Sequence, residues 1–283
     1  MSLKISNEYN KVCEANLLYY KNTADQYDQT ETCVVDPRFQ EKLENELKEI
    51  VHRLINAGCR EIQALDACGG SGNVSLKLGK MKNVKVTLCD QSPQLLDIFK
   101  MKCKEDGIIC DTVNQEIAQY LNTAGQKFDL IIFSSALHHL ENYEFVLGLA
   151  LEHLNNHGFI FTTFDPVKWK FPAYPIVRLE YILFKLFNHK DVIPTVKRKI
   201  RKIYQKIRKQ NDASNESLVN WGEMAEYHVN KGIDDFALVG GMEQRGLKVV
   251  WHIRETRARY SFFEAVLKLF GCVTSFKLLL QKA

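Results

Sequence analysis

Residues 64–76 read Ala-Leu-Asp-Ala-Cys-Gly-Gly-Ser-Gly-Asn-Val-Ser-Leu. The apolar run Ile62 to Leu65 ends in Asp66, a glycine-rich turn follows at Gly69, Gly70 and Gly72, and a helical pattern then opens with Val74 and Leu76. The order is strand, tight turn, helix N-terminus. It is the arrangement by which an α/β protein brings bare backbone N–H groups against a nucleotide-like ligand. Eighteen positions after Gly72, a second apolar strand, Val84 to Cys89, ends in Asp90. An acid at that place can accept both ribose hydroxyls of an adenosine. A glycine loop alone is a weak signal; with the acid at the end of the next strand it points to an adenosine cofactor.

The flanking sequence keeps the same alternation. Pro37 starts a helical pattern with Leu43, Leu47, Ile50, Val51 and Leu54 on one face, closed by Gly58. After the second strand, Ser92-Pro93 is an N-cap followed by proline at the first helical position, and Gly107 marks that helix's end. Strands are expected at Glu61–Asp66, Val84–Cys89, Ile108–Val113, Leu130–Phe133 and Phe159–Phe164, with helices between them. Strands alternating with helices of this length imply a parallel, doubly wound sheet. Asp234 to Gly246 reads as a final helix, Leu247 to Ile253 as a strand, and Ala258 to Phe263 as its antiparallel partner.

The pattern Asp66-x-Cys68-Gly69-Gly70-Ser71-Gly72 resembles the first motif of class I S-adenosylmethionine (SAM) methyltransferases, usually written D-x-G-x-G-x-G. Cys68 replaces its first glycine. Phe128-Asp129-Leu130-Ile131-Ile132-Phe133-Ser134-Ser135-Ala136-Leu137-His138-His139-Leu140 is similar to the fourth-strand signature of the small-molecule branch, and Leu154 to Phe161 to its helix–turn–fifth strand, with Gly158 at the turn. The resemblance covers roughly residues 45 to 165, with a return near 233 to 262. It implies a Rossmann-like, doubly wound, seven-stranded, mostly parallel sheet with an N-terminal helical lid and a helical cap inserted after strand five. The corresponding division is a lid at 1–36, a SAM-binding core at 37–166, a cap at 167–230 and a C-terminal completion of the sheet at 231–283. An NAD oxidoreductase is the weakest rival, because Ser75 stands where the third glycine of G-x-G-x-x-G is needed.

The resemblance also implies a cofactor site. The backbone of Cys68, Gly69 and Gly70 passes the methionine moiety, with Gly72 completing the turn, and Asp66 orders the turn or the cofactor's ammonium. Asp90 takes the ribose hydroxyls, with Gln91 beside it. Glu116 and Ile117 read the adenine, and Ser134 meets the cofactor through its backbone; a solvated Glu116 is the competing reading. Tyr19, Tyr20 and Tyr27 lie in a stretch, Tyr19-Tyr20-Lys21-Asn22-Thr23-Ala24-Asp25-Gln26-Tyr27, that resembles the family's N-terminal lid, where a tyrosine, Tyr19 or Tyr27 first, covers the cofactor; an exposed or core tyrosine is the alternative for each. His138 and His139 sit just beyond strand four, where the acceptor's reactive atom belongs. An imidazole can serve there as a base near neutral pH. His139 aligns better with that role; each histidine has the alternative of capping the next helix or packing behind the loop, and for His138 this is the preferred reading. Methyl transfer is expected to go to a small molecule, oxygen before nitrogen or carbon, with S-adenosylhomocysteine (SAH) as product. The rivals are an RNA or protein methyltransferase and a non-catalytic SAM-binding protein.

The 283 residues suit one large domain with elaborations. The first twenty residues show no signal-peptide pattern, and no run of eighteen uncharged apolar residues predicts a membrane span. Eight cysteines without a C-x-x-C pair or a His/Cys cluster fit reduced thiols in a cytoplasmic protein, with no metal site. Between 167 and 210 there are 13 Lys/Arg against two acids, although the chain as a whole carries only +4. Val196 to Lys209 has helical spacing within that segment. Three readings of this basic insertion stand together: a solvated cap helix, a surface for anionic membrane or lipid beside Trp169, Phe171, Tyr174, Tyr181, Phe184 and Phe187, or a nucleic-acid track. The apolar segment Phe262 to Leu280 is expected to add to the membrane-facing surface. Nucleic acid is disfavoured, because neither an Asn/Asp-Pro-Pro-Tyr/Phe motif nor a Pro-Cys nucleophile is present.

Overall fold

The computed structural model describes residues 7–168, 173–188, 227–228 and 232–283. The basic helix expected at Val196–Lys209, and Trp169 and Phe171, lie outside them. The chain divides into two compact units, one of Met1–Lys168, Trp221–Glu255 and Thr274–Ala283, the other of Trp169–Asn220 and Thr256–Val273.

The first unit begins with helices α1 (Asn7–Thr30), α2 (Thr32–Val35) and α3 (Pro37–Asn56). Asp36 caps α3 by accepting from the Arg38 amide, with Pro37 at its first position. Then come β1 (Ile62–Ala67), α4 (Asn73–Gly79), β2 (Val84–Cys89), α5 (Pro93–Asp106), β3 (Asp111–Val113), α6 (Ile117–Thr123), β4 (Phe128–Ser134), a 3₁₀ turn at Leu137–His139, α7 (Tyr143–Glu152) and β5 (Leu154–Pro166). With β6 (Leu247–Glu255) and β7 (Ser275–Lys282) the sheet order is β3-β2-β1-β4-β5-β7-β6; the first five strands are parallel, and β7 runs antiparallel to both its neighbours. The alternate side chains Ile62, Ala64, Leu130, Ile132, Phe159 and Phe161 bury against Leu43, Leu47, Ile50 and Leu54 of α3 and Val74 and Leu78 of α4. The opposite set, including Leu65, Ile131, Phe133 and Ile160, is equally buried, so both faces are covered.

The second unit holds α8 (Ala173–Asn188) and a later helix, α10 (Ser261–Leu269); between them in the chain, α9 (Asp235–Gln244) and β6 (Leu247–Glu255) belong to the first. Ala173, Ala258, Phe263, Leu267 and Cys272 form a small core with Ile176, Val177, Leu183 and Tyr260. Buried Glu180 accepts from the Tyr260 amide at 2.7 Å.

One expectation is overturned. Ala258–Phe263 is not the partner of β6: residues from Ser261 are helical, and the partner is β7 (Ser275–Lys282), in the sheet between β5 and β6. Phe276, Leu278, Leu279 and Leu280 are 0–1% exposed, so this end of the apolar segment is core rather than surface. The near-continuous apolar run is what a strand buried on both faces requires. Lys277 interrupts it in sequence only, because its ammonium is buried against Glu46 and against Glu255, the latter at 3.1 Å. Among the described residues no helix is long and apolar enough to cross a membrane.

Candidate active site

The chain reverses direction across the sheet between β2-β1 and β4, which is where an open α/β sheet forms its crevice. The strand ends on either side carry non-glycine residues in the left-handed region, Cys68 after β1 (φ 58°) and Ser135 after β4 (φ 55°). Such backbone is held only where the surroundings over-determine it, and it concentrates at functional sites. The glycines of the turn have distinct duties. A Cβ on Gly72 (φ +84°) would lie 2.1 Å from a ring carbon of Phe99, so Gly72 lets α4 pack on α5. A Cβ on Gly70 (φ +56°) would rest in ordinary contact with Leu95 and the Tyr27 ring and hydroxyl, at 3.8 Å and beyond, so a methyl fits there without collision.

Two buried carboxylates hold the turn. Asp66, 1% exposed, accepts at Oδ2 from the Ser75 amide (3.1 Å) and the Ser75 hydroxyl (2.7 Å), while its Oδ1 is buried without a hydrogen-bond partner. Asp90, 9% exposed, accepts from the Gly70 amide at Oδ2 and from the Ser92 amide at Oδ1, both at 2.8 Å. Burial raises each to about 6, against the lowering effect of those hydrogen bonds. Glu116 caps α6 by accepting from the Gln119 amide at 2.9 Å.

A solvent-open cleft of about 670 Å³ lies at these strand ends. Of the residues expected from the sequence, Cys68, Gly70, Asp90, Gln91, Glu116, Ile117, Tyr27 and His139 line it. Asp66, Gly69 and Ser134 line an adjoining cavity of about 320 Å³ that shares Tyr27 and Cys68 with the cleft. Burial pushes the Tyr27 hydroxyl and the Cys68 thiol well above their ordinary ranges, so both stay protonated. Gly72, Tyr19 and His138 are not among the lining residues of either cavity. Tyr19 packs edge-on against Tyr20, 5.2 Å between ring centres.

His138 and His139 stack with ring centres 4.0 Å apart but face different partners. His139 Nε2 lies 3.1 Å from the Tyr20 hydroxyl, and its carbonyl accepts from Asn16 Nδ2 at 3.2 Å. His138, 6% exposed, has Nδ1 2.8 Å from Oδ1 of Asp165, a residue 0% exposed, and its backbone N–H donates to the same oxygen at 3.2 Å. The His228 amide donates to the His138 carbonyl at 2.9 Å.

Several lining residues were not expected from the sequence, Tyr9, Val12, Cys13 and Asn16, all from α1, and they are joined there by Tyr20 of the expected lid. A signal was present. Tyr9, Cys13, Asn16, Tyr20 and Tyr27 recur at intervals of four, three, four and seven, one face of a 3.6-residue helix. The stripe is half polar, so it does not read as a core-facing helix. Burial and the Glu116 carboxylate push the Cys13 thiol up to about 12 and raise the Tyr9 hydroxyl too.

Comparison with known proteins agrees with this geometry. Residues 64–158 match a family model described as a methyltransferase domain. No curated protein matches the chain. Among solved structures, magnesium protoporphyrin IX methyltransferase from Synechocystis PCC 6803 with bound SAH has a TM-score of 0.57 at 12% identity, covering 96% of this chain and 100% of that one. The plantazolicin methyltransferase BamL, in complex with a triazolic desmethylPZN analog and SAH, has a TM-score of 0.57 at 12% identity, covering 97% and 96%. The [4+2]-cyclase SpnF has a TM-score of 0.56 at 10% identity, covering 98% and 96%. At such identities these likenesses speak to fold alone, and the cyclase illustrates that one fold hosts several chemistries. Residues 64–158 of this chain are thus a class I methyltransferase domain, the kind that takes its methyl group from SAM.

Proposed function

We propose that the protein transfers the methyl group of SAM to a small-molecule acceptor, with a hydroxyl oxygen favoured over nitrogen or carbon and His139 as the base. The observation that carries this reading is the placement of His139, hydrogen-bonded to Tyr20, on the wall of the same cleft as Gly70, Asp90 and Glu116.

The residues present fit the cofactor. Asp66 Oδ1 is a buried acceptor in want of a donor, which an ammonium or a water would supply. Gly70 lines the cleft, and each Asp90 oxygen, with one backbone N–H already bound, keeps a lone pair for a ribose hydroxyl. Glu116 and Ile117 would hold the adenine, and Gln91 the edge of the ribose. When bound, SAM supplies a methyl already activated by its sulfonium. The chain's own work is alignment, exclusion of water and handling of a proton.

Helix α1 supplies the cover through Tyr27, Tyr20 and Asn16. The Tyr20 hydroxyl donates to His139 Nε2 and sets the ring's position, and it yields that lone pair to the acceptor's hydroxyl, whose proton Nε2 receives. His138 with Asp165 acts as a positioning pair: stacked on His139 and anchored at both its ring and its backbone, it fixes the 3₁₀ turn. Two proteins of similar fold are named for acceptors of porphyrin and plantazolicin type, which supports a bulky, partly apolar acceptor here. Eight free thiols fit work in the cytoplasm.

A calorimetric titration with SAM and SAH tests the reading, with Asp90→Ala alongside. Micromolar-range binding lost in the variant supports it and opens a screen of acceptors with labelled SAM. Binding of SAM with no transfer to any acceptor would favour a non-catalytic SAM-binding protein. Absence of binding by either ligand would overturn the proposal.

A further inference from the structure

We infer that the second compact unit docks on an anionic lipid bilayer. Helix α10 (Ser-Phe-Phe-Glu-Ala-Val-Leu-Lys-Leu) gathers Ser261, Glu264 and Lys268 in one narrow polar stripe and presents a wide apolar arc on the remainder. Phe263 and Leu267 fill the unit's core, which leaves the other face without protein cover: Phe262 is 71% exposed, Leu269 82%, and Phe270 just beyond the helix 59%. The apolar arc is wider than the unit's core covers, and large apolar side chains left exposed together mark an interaction site. Helix α8 of the same unit also exposes Leu179 and Ile182. On its surface the Arg178 guanidinium lies 5.8 Å from the centre of the Tyr174 ring and donates to its hydroxyl at 2.7 Å. An aromatic ring joined to a cation beside bare aliphatic side chains is the composition of an interfacial helix.

Charge selects the partner. The fold joins Thr256–Val273 to Trp169–Asn220, segments far apart in sequence, and together they hold 15 Lys/Arg against five Asp/Glu. The rest of the chain holds 23 Lys/Arg against 29 Asp/Glu. By sequence the unit sums to +10 and the rest of the chain to −6, and the described cations Arg178, Arg257, Arg259 and Lys268 belong to the unit that holds the bare apolar side chains. An anionic bilayer satisfies both, offering phosphates to the lysines and arginines and acyl chains to Phe262, Leu269 and Phe270. Nucleic acid answers the charge and could stack on Phe262 and Phe270, but it leaves the aliphatic Leu269, Leu179 and Ile182 without a partner, which acyl chains supply.

Sedimentation of the full chain with large vesicles tests this without reference to methyl transfer. Partition into phosphatidylcholine vesicles containing phosphatidylglycerol should exceed that into phosphatidylcholine alone by about tenfold or more, and should fall in high salt. The triple variant Phe262→Ser, Leu269→Ser, Phe270→Ser should lose about tenfold or more of that binding at an unchanged melting temperature. The double variant Leu179→Ser, Ile182→Ser on the other helix should weaken it independently, which guards against misfolding of the first. Equal partition into neutral vesicles, no partition at all, or wild-type binding by both variants would overturn the inference. So would tight binding of a single-stranded RNA with no vesicle binding, which would assign the charge to nucleic acid.

Discussion

The Gly70 amide donates a 2.8 Å hydrogen bond to Asp90 Oδ2, tying the glycine turn after β1 to the acid at the end of β2. The contact unites the two sequence features twenty residues apart that point to an adenosine ligand. It also makes Asp90 a structural as well as a binding group. Asp90→Ala should weaken SAM binding by more than about tenfold, and should destabilise the fold by about 2 kcal/mol through the two orphaned amides. Asp90→Asn, which retains one acceptor oxygen, should fall between. Calorimetry and denaturant titration on the same preparations separate the two effects.

The two glycines of the turn should respond differently to alanine. At Gly72 the new Cβ would collide with Phe99 in addition to the φ cost, so Gly72→Ala should lose about 3 kcal/mol of stability. At Gly70 only the φ cost applies, about 1 kcal/mol, while the methyl would sit against Leu95 and Tyr27, which line the cleft with it. Gly70→Ala should therefore remain folded and bind SAM poorly, as thermal melts with and without ligand would reveal.

Protonation should report the buried acids. Asp66 and Asp90 have folded-state values of about 6, above the ordinary 3.8, mainly because burial disfavours their charge. Their folded forms hold protons more tightly than the unfolded chain. Their contribution to stability is therefore fully present below about 3.8 and is lost as pH rises through 6. Between pH 5 and 7.5 the wild type should lose stability relative to Asp66→Asn by about 1–2 kcal/mol in urea titrations. SAM affinity should run the other way, weakening as pH falls through 6, because Asp90 must be ionised to accept two ribose hydroxyls.

His139→Gln should lower kcat by about 10²–10⁴ with little change in SAM affinity. Tyr20→Phe should lower kcat by about tenfold and move the acid limb of the pH–rate profile, because it removes the group that holds Nε2. Asp165→Asn should produce a similar but smaller displacement, through His138. A profile left in place by all three would remove His139 as the base.

Much of the parallel half of the sheet could be read from local sequence. The glycine turn, the Ser92-Pro93 cap, the Gly107 stop and the apolar strands each act within a few residues, and the structure bears them out. β7 was hidden by Lys277: a lysine in an apolar run reads as an interruption until α3 brings Glu46 and the end of β6 brings Glu255 to meet it. The site divides the same way. Asp66, Gly70 and Asp90 sit on one βαβ unit, where short connections set their geometry. Tyr20 meets His139 across 119 residues, and Asp165 meets His138 across 27. Local backbone chemistry determines which residues end a strand or open a helix, and it acts through the nearest neighbours in the chain. Which helix covers the crevice, and which carboxylate stands behind which histidine, depends on packing between elements whose separation along the chain carries no trace of their proximity in space.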